Sequence, residues 1–414
     1  MDDADWTWMI YLATHNDAAE VGEASVVRMG RAVLNDRVRV LVQQATPART
    51  VRRAIGTAAP DTDLGPIDSG APETLLDFIG WAAQTAPARR YALVLWSHGS
   101  GWEPREIERM AQQNPAAVPV TPGELQQRGP EDTGGQVFFS STLRELITRP
   151  TPSERAIARD DGSGHSLDTI ELGRVVAQAA RALGRPLDFV GMNACQMSCA
   201  EVAYQLRGNA EVYVASAEDM PAEGWPFDDL LTRLAAAPDL DAAALGQLVV
   251  ERYCATFRES TLPWGSEGLP EGVTLTALKL DGIPLLASAA GALADTLREH
   301  ITELSDAVWA AHRKAHKFKF QLYDLASFCQ VLATEPGAEL AGEAARAVLA
   351  ALANPALTLA SEHVGTAYAT VGGLTTYLLP PGAGLPISPY YAATAYAKNT
   401  GWGDFLAAYH TSVG

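Results

Sequence analysis

Short apolar segments alternate along the first half of the chain with longer segments whose apolar residues recur at helical spacing. Five short segments have the character of buried strands, at residues 6–13, 38–43, 91–96, 187–192 and 212–216. Helical patterns precede four of them, at residues 18–34, 72–85, 169–183 and 197–208. Short apolar strands separated by helices are typical of a parallel sheet with helices packed on both faces. The pattern therefore predicts an α/β fold.

Two regions depart from this alternation. Residues 103–159 lack sustained periodicity and contain seven prolines, which indicates an exposed, flexible linker inserted into the fold. The C-terminal half is rich in Ala and Leu at helical spacing, with a further strand candidate at 373–379 and a final helix at 402–410. We therefore expect a core at residues 1–227 and a mainly helical region at residues 228–414 that returns to the sheet.

The charge balance narrows the classes of partner. The chain of 414 residues carries 31 basic and 49 acidic side chains, a formal net charge of −18. Phosphate binding requires clustered Lys and Arg, so this balance argues against a nucleic-acid partner and against an anionic membrane surface. No apolar run approaches the roughly 18 residues that a transmembrane helix needs. An acidic surface suits a basic substrate and also confers solubility, and the charge alone does not choose between the two.

Cysteine usage and the N-terminal residues bear on the cellular compartment. The four cysteines are too few for a disulfide framework in a chain of this length, and they form no CxxC pair. The eight histidines are scattered, so a structural zinc site is not expected. Asp2, Asp3 and Asp5 stand where a secretory signal would be basic. These features predict a reducing, cytoplasmic setting without a resident metal.

The first candidate for chemistry is His98, in the segment Ser-His-Gly-Ser-Gly-Trp that follows the third strand candidate. In open α/β sheets, active sites form at the carboxyl ends of the strands. Histidine is the usual acid–base side chain, and the following Gly99 lets backbone N–H groups approach a substrate closely. The alternative is a plain strand-to-loop turn in which His98 only satisfies backbone groups.

The second candidate is Cys195, in the segment Asn-Ala-Cys-Gln-Met directly after the fourth strand candidate. The helix predicted from residue 197 would bring its positive N-terminal end near the sulfur and lower the pKa of the thiol. The alternative is an inert buried cysteine, and the apolar helical segments predict that state for Cys254 and Cys329. Cys199, one helical turn further on, is assigned to packing.

The two candidates together predict a specific chemistry. They lie 97 residues apart, and each follows a strand. Cysteine proteases pair a Cys with a His that is distant in sequence and adjacent in the fold. If the two strands are neighbours, His98 can reach the sulfur of Cys195, and the backbone N–H groups of Gly99 and Cys195 can hold an oxyanion.

The sequence resembles the clostripain family, also called C11 peptidases, which have a caspase-type fold. The resemblance is carried by WTWMIYLATHND (6–17), TLLDFIGW (74–81), YALVLWSHGSGW (91–102), LDFVGMNACQMSCAEVA (187–203) and ASAEDMPAEGWPF (215–227), and more loosely by DLA (324–326) and GLTTY (373–377). It covers most of the chain outside the linker. The resemblance implies a caspase-like, mostly parallel sheet flanked by helices, with a largely helical C-terminal part.

The same resemblance implies a cysteine endopeptidase that cleaves proteins after Arg or Lys, with His98 as base and Cys195 as nucleophile. It also implies a latent precursor that is cut in the linker between these two residues, giving two chains that stay associated. The cut would come from the enzyme itself or from an upstream activating protease. The linker arginines that are candidate cleavage points include Arg128, Arg144, Arg149 and Arg155.

One position departs from the family pattern. The family usually has Asp two residues before the nucleophile, where it helps to line the pocket for a basic side chain, and this chain has Asn193. A neutral amide can hydrogen-bond a guanidinium but supplies no counter-charge. Glu218 and Asp219, after the next strand, either supply that charge or are solvated loop acids. Arg is expected ahead of Lys, because its planar fork tolerates a single carboxylate better.

Two alternative functions stay open at this point: a catalytically silent caspase-like regulatory scaffold, and a small-molecule cysteine hydrolase. The presence of both His98 and Cys195 counts against the scaffold. Turnover of small amides without cleavage of any protein would favour the hydrolase. No cofactor is expected, except that some relatives in the family need calcium; this chain has no EF-hand-like loop.

Overall fold

The fold is built on a nine-stranded sheet, seen in a computed structural model of the protein. The structure describes residues 4–102, 157–160, 165–265, 269–381 and 387–412. The strands in these ranges are, in chain order, β1 (Ala4–Ala13), β2 (Val38–Ala45), β3 (Thr50–Ala54), β4 (Thr62–Gly65), β5 (Ala88–Trp96), β6 (Ile157–Asp160), β7 (His165–Leu167), β8 (Leu187–Asn193), β9 (Ala210–Ala215), β10 (Val273–Lys279), β11 (Leu322–Asp324), β12 (Thr358–Val364) and β13 (Thr375–Tyr377).

Helices cover the sheet and make up most of the C-terminal half. In the same described ranges they are α1 (Ala19–Met29), α2 (Pro72–Thr85), α3 (Thr169–Leu183), α4 (Ala200–Leu206), α5 (Phe227–Ala236), α6 (Ala242–Arg258), α7 (Ile283–Glu299), α8 (Ile301–Lys314), α9 (Leu325–Leu332), α10 (Glu339–Leu352), α11 (Pro389–Ala393), α12 (Ala395–Thr400) and α13 (Trp402–Ser412).

The centre of the sheet is parallel and its edges are antiparallel. The strand order is β12-β10-β9-β8-β5-β1-β2-β3-β4. The five central strands, β9, β8, β5, β1 and β2, run parallel to one another, and the outer strands on both sides are antiparallel. These five are the strands that the apolar segments predict. The predicted α/β fold, with a mostly parallel sheet flanked by helices and a largely helical C-terminal part, is confirmed.

Strand β1 explains why the parallel strands read as near-continuous apolar runs. All ten of its residues are buried. Trp6, Trp8 and Ile10 enter the hydrophobic core shared with α1, α5 and α6 on one face. Met9 and Tyr11 enter the core shared with α2 and α3 on the other face. Because both faces are covered, the alternation of polar and apolar residues that marks a half-exposed strand is absent.

Two helices on one face begin and end where the pattern predicts, because local signals define their ends. Helix α2 starts with Pro72, which is suited to the first helical position. In α3, Asp168 accepts a hydrogen bond from the N–H of Glu171, whose side chain accepts one from the N–H of Asp168. The helix then ends at Gly184, which has a left-handed φ of 71°.

The C-terminal region returns to the sheet through strands that the sequence pattern did not single out. β10 pairs antiparallel with β9, and β12 pairs with β10 at the edge. The predicted strand at 373–379 is reduced to the three residues of β13, which pairs with β11 in a separate two-stranded sheet. The first residue of β13 also contacts the site, because the N–H of Thr375 donates to the carbonyl oxygen of Ser198, at 2.9 Å. The C-terminal region thus packs on the loop that follows Cys195.

One described helical stretch, Leu280–Glu299, is long and apolar enough to cross a membrane by length and composition. In this fold it contains α7, a core helix. One face of α7 is buried against the domain, through Ile283, Leu286, Ala290, Leu293 and Leu297. This burial accounts for its hydropathy.

Two glycines give a matched test of packing around the site. A Cβ at Gly191 in β8 would lie 2.4 Å from the ring of Trp225, whereas a Cβ at Gly80 in α2 would meet nothing within 4 Å. We expect Gly191→Ala to lower the free energy of unfolding by about 1–3 kcal/mol through overpacking. We expect Gly80→Ala to raise it by about 0.5–1 kcal/mol through helix propensity. Urea unfolding measures both, and equal effects would contradict the close packing of β8 on Trp225.

Candidate active site

The two candidate residues lie on neighbouring strands. β5 and β8 pair in parallel, with Trp96 opposite Asn193, so the loops that follow them leave the sheet at the same edge. His98 and Cys195 each lie two residues beyond these paired ends. The strands that precede His98 and Cys195 are therefore neighbours, as the proposed pairing of the two residues requires.

Gly99 brings the two loops into direct contact. A Cβ at this position would lie 2.4 Å from the carbonyl oxygen of Cys195 and 3.1 Å from the Cβ of Ala194. Real Cβ atoms do not approach an oxygen this closely, so only glycine allows the backbone after His98 to pack on the backbone at the cysteine. The backbone of Gly99 and that of Cys195 are thus in one place, and their joint service as oxyanion donors stays a prediction.

Cys195 differs from the other three cysteines in exposure. Cys199, Cys254 and Cys329 are buried, whereas Cys195 is only partly covered. Its Sγ accepts a hydrogen bond from the backbone N–H of Met220, at 3.2 Å. Burial, and then the negative charge of Asp219, raise the pKa of the Cys195 thiol to about 12. In this form of the protein the sulfur is therefore protonated at neutral pH.

The expected effect of a helix on this thiol is not found. The helix after Cys195 is α4, which begins at Ala200 with Cys199 before it, rather than at residue 197. Residues between them form a turn in which Gln196 has a left-handed φ of 62°. The N–H of Gln196 donates to the carbonyl oxygen of Glu218, at 3.2 Å. This tie to the loop after β9 replaces the first helical turn, so the prediction that the helix lowers the pKa of Cys195 is wrong.

Glu218 and Asp219 lie beside the cysteine within a polar network. The amide Nε2 of Gln196 donates to Oε1 of Glu218 at 3.2 Å and to Oδ1 of Asp219 at 3.1 Å. The hydroxyl of Tyr368 donates to Oε2 of Glu218 at 2.9 Å. Burial raises the pKa of Glu218. Both acids are partly covered, so they are not simply solvated loop charges.

A lysine of the chain is paired with this acidic loop. The Nζ of Lys319 forms an ion pair with Asp219. Lys319 lies in the loop between α8 and β11, next to Phe320 and Gln321, which both have left-handed φ values, 61° and 56°. Such strained non-glycine residues cluster at functional sites. Nothing in the sequence pattern singles out Lys319, because the contact joins loops 100 residues apart.

Asn193 is placed differently from the two acids. Its side chain is buried, with 4% of the residue exposed, and its Oδ1 accepts a hydrogen bond from the N–H of Trp225 at 3.1 Å. Gly224, with a φ of 56°, packs against the same amide. Asn193 thus holds the 224–225 turn near the site. Its contact with a substrate side chain stays a prediction.

His98 has a partner outside its own sequence motif. Its Nε2 lies 2.6 Å from Oδ1 of Asp17, which follows β1. β1 flanks β5 on the side opposite to β8. The sequence feature that could have indicated Asp17 as a site residue is its position shortly after a buried strand that ends at the same sheet edge.

The predicted processing sites lie outside the residues that the structure describes. Arg128, Arg144, Arg149 and Arg155 fall outside the described residues, as does almost all of the linker predicted at 103–159. Among the residues that the structure does describe, no group of three or more His, Cys, Asp or Glu side chains could hold a metal ion. The calcium that some relatives need carries over to this chain only as an expectation from the resemblance.

Comparison with known proteins matches part of the chain to a sequence family and nearly all of it to a known fold. The sequence model of the clostripain family matches residues 145–349, a range that contains Cys195. A search of curated proteins finds no match. Among solved structures, the chain is similar to an inactive zymogen C11 protease from Parabacteroides distasonis, at 18% identity and a TM-score of 0.65, over 97% of this chain and 99% of that one.

A second solved structure has the same fold over a similar span. It is a secreted C11 cysteine protease from Bacteroides thetaiotaomicron in complex with an irreversible peptide inhibitor. The identity is 15% and the TM-score is 0.64, over 96% of this chain and 99% of that one. At such identities the likeness shows the fold alone.

The electrostatic coupling of Asp219 to the sulfur can be tested on the uncut chain. Burial is the main cause of the high pKa of the Cys195 thiol, and Asp219→Asn removes the charge that raises it further, so the thiolate fraction at a given pH should rise. We expect iodoacetamide to alkylate Cys195 about 3- to 10-fold faster at mildly alkaline pH. Asp63→Asn, which changes an exposed acid on β4 at the far edge of the sheet, is the control. An unchanged rate in Asp219→Asn would contradict the coupling.

Proposed function

This chain belongs to the clostripain family of cysteine endopeptidases, and from that premise we propose that it cleaves proteins after Arg, and less readily after Lys. We further propose that it is made in a latent form, which is activated by cleavage in the linker between His98 and Cys195. The ion pair between Lys319 and Asp219 beside Cys195 is the observation that carries the specificity. The high thiol pKa of Cys195 supports the latency.

The proposed chemistry is acyl transfer through the thiol. His98 takes the proton of Cys195, and the sulfur attacks the carbonyl carbon of the bond to be cut. The backbone N–H groups of Gly99 and Cys195 stabilise the oxyanion that forms. His98 then gives its proton to the departing amine, which leaves an acyl group on the sulfur. Water, deprotonated by His98, hydrolyses this thioester and restores the thiol.

The specificity follows from what already lies beside the nucleophile. A primary ammonium of the chain, that of Lys319, is held at Asp219, and Asp219 is close enough to Cys195 to raise its pKa. A substrate Arg or Lys brings the same kind of charge to the same carboxylate. Arg is favoured because its planar fork can bond two acceptors, and Glu218 lies next to Asp219. With Asn193 neutral, these two acids supply the counter-charge.

Two features of the described form support latency. The Cys195 thiol, with a pKa of about 12, is protonated at neutral pH and is therefore a weak nucleophile. Lys319 also occupies the carboxylate that a substrate cation would need. Cleavage in the linker, by the enzyme itself or by an upstream protease, would have to lower at least the pKa of the Cys195 thiol. A latent form also suits the reducing, cytoplasmic setting that we propose from the four free cysteines.

Peptide hydrolysis with matched variants tests this specificity. We expect the linker-cut protein to hydrolyse fluorogenic peptides with Arg before the cut, and Cys195→Ala to lose this activity. Asp219→Asn should lower kcat/KM for Arg peptides by about 30-fold, the low end for loss of a charge partner because Asp219 is partly exposed. Lys319→Met should raise it by up to about fivefold, because an exposed ion pair is worth at most about 1 kcal/mol.

The two pocket variants change activity in opposite directions, and this separates specificity from general damage. Selectivity for another residue would keep the peptidase and contradict the acidic pocket. Turnover of small amides with no peptide cleavage would favour a small-molecule hydrolase. If the linker-cut wild type hydrolysed no substrate, a regulatory scaffold would be favoured.

Self-processing has a separate test. Purified wild type should convert from one chain to two, with the new end after a linker arginine such as Arg128, Arg144, Arg149 or Arg155, whereas Cys195→Ala should stay intact. Denaturing electrophoresis and mass spectrometry of the fragments measure this. Equal cleavage of the Cys195→Ala protein in isolation would show that another protease does the cutting.

A further inference from the structure

The loop that carries His98 follows a strand with a site loop on either side. In the sheet, β5 precedes His98 and lies between β8, which precedes Cys195, and β1. The loop after β1 supplies Asp17, whose Oδ1 lies 2.6 Å from Nε2 of His98. Asp17 and Cys195 therefore follow the strands on opposite sides of the strand that precedes His98.

The contact between Asp17 and His98 is fixed by buried groups. The carbonyl oxygen of Ala13, at the end of β1, accepts a hydrogen bond from Oγ of Ser97 at 3.0 Å and one from Nδ2 of Asn16 at 3.1 Å. Ser97 and Asn16 directly precede His98 and Asp17, and both are buried, at 7% and 6% exposure. One backbone oxygen thus ties together the two loops that carry the pair.

A second set of bonds holds the loop of Asp17 itself. Oγ1 of Thr14 donates to the carbonyl oxygen of Ala45 at 2.6 Å, and Oδ1 of Asn16 accepts from the N–H of Ala18 at 2.9 Å. The side chain of Asp17 is 72% exposed, and an exposed ion pair on flexible side chains is usually of little consequence. Here the backbone on both sides is fixed, so the carboxylate loses little freedom when it meets the ring.

The hydrogen bond determines which ring nitrogen can act as the base. An ionised carboxylate only accepts hydrogen bonds, so Nε2 of His98 carries the hydrogen toward Asp17. In the neutral ring Nδ1 is then the unprotonated nitrogen, and it is the one that can take the proton of the thiol. After that transfer, the charge of Asp17 stabilises the imidazolium beside the thiolate.

We infer that Asp17 is a positioning residue for His98: it holds the ring with Nδ1 free to accept the Cys195 proton and stabilises the resulting ion pair. The inference rests on the proposed function in taking His98 as the base. It does not depend on the specificity of the pocket, because Asp17 acts on the ring and not on the substrate side chain.

The test compares Asp17→Asn and Asp17→Ala with Asp63→Asn in the linker-cut full-length protein. We expect kcat for the preferred peptide to fall about 10- to 100-fold in Asp17→Ala. KM should change by less than about twofold, because Asp17 is not proposed to touch substrate. Asp17→Asn should also lower kcat, because it loses the charge and its amide can donate to Nε2, which favours the tautomer with hydrogen on Nδ1. Asp63→Asn should match wild type.

A second readout does not need a substrate. Alkylation of Cys195 by iodoacetamide reports the thiolate that the imidazolium stabilises, and the other three cysteines are buried. Both Asp17 variants should slow it, with thermal unfolding unchanged. Slower alkylation in a protein that cleaves no Arg peptide would support the positioning role and reject the specificity. Wild-type kcat and alkylation in both variants would overturn the inference, as would losses that only follow reduced stability. If Asp17→Ala does not fold, the isosteric Asp17→Asn decides.

Discussion

The parallel alignment of β1, β5 and β8 is the constraint on which the site depends. Parallel strands that pair in register end at the same edge, so the loops after them meet. Asp17, His98 and Cys195 each belong to one of these loops. The three residues come together without any signal in their own loops, because the apolar runs that form the strands already determine where the loops begin. Burial on both faces of the sheet then makes this edge rigid.

Backbone contacts complete the alignment. Gly99 packs on the carbonyl oxygen of Cys195, and the carbonyl oxygen of Ala13 accepts bonds from both neighbouring loops. The C-terminal region adds a third support, since Thr375 bonds to Ser198 in the loop after the cysteine. The mainly helical half of the chain therefore buttresses the loop that carries the nucleophile.

Charge around the sulfur has two opposing consequences. After burial, the charges of Asp219 and Glu218 also raise the pKa of Cys195, which disfavours the thiolate, yet the same carboxylates attract a cationic side chain. A cation held at Asp219 offsets the first effect, as Lys319 does in this structure, where its charge lowers the pKa of the thiol. In the proposed enzyme, a substrate Arg that replaced Lys319 would bring a similar offset. Recognition of the substrate and ionisation of the nucleophile would then depend on one carboxylate.

The sequence alone determined the five central strands, helices α2 and α3, and the positions of His98 and Cys195 at strand ends, because burial periodicity and capping residues are local properties. Only the tertiary structure decided that Asp17 meets His98, that Lys319 pairs with Asp219, and that the C-terminal region joins the sheet through β10 and β12. The tertiary structure also decided the late start of α4, because Gln196 bonds to Glu218 instead of beginning the helix. Such contacts join residues far apart in the chain, and a pairing between distant loops leaves no periodic trace in either segment.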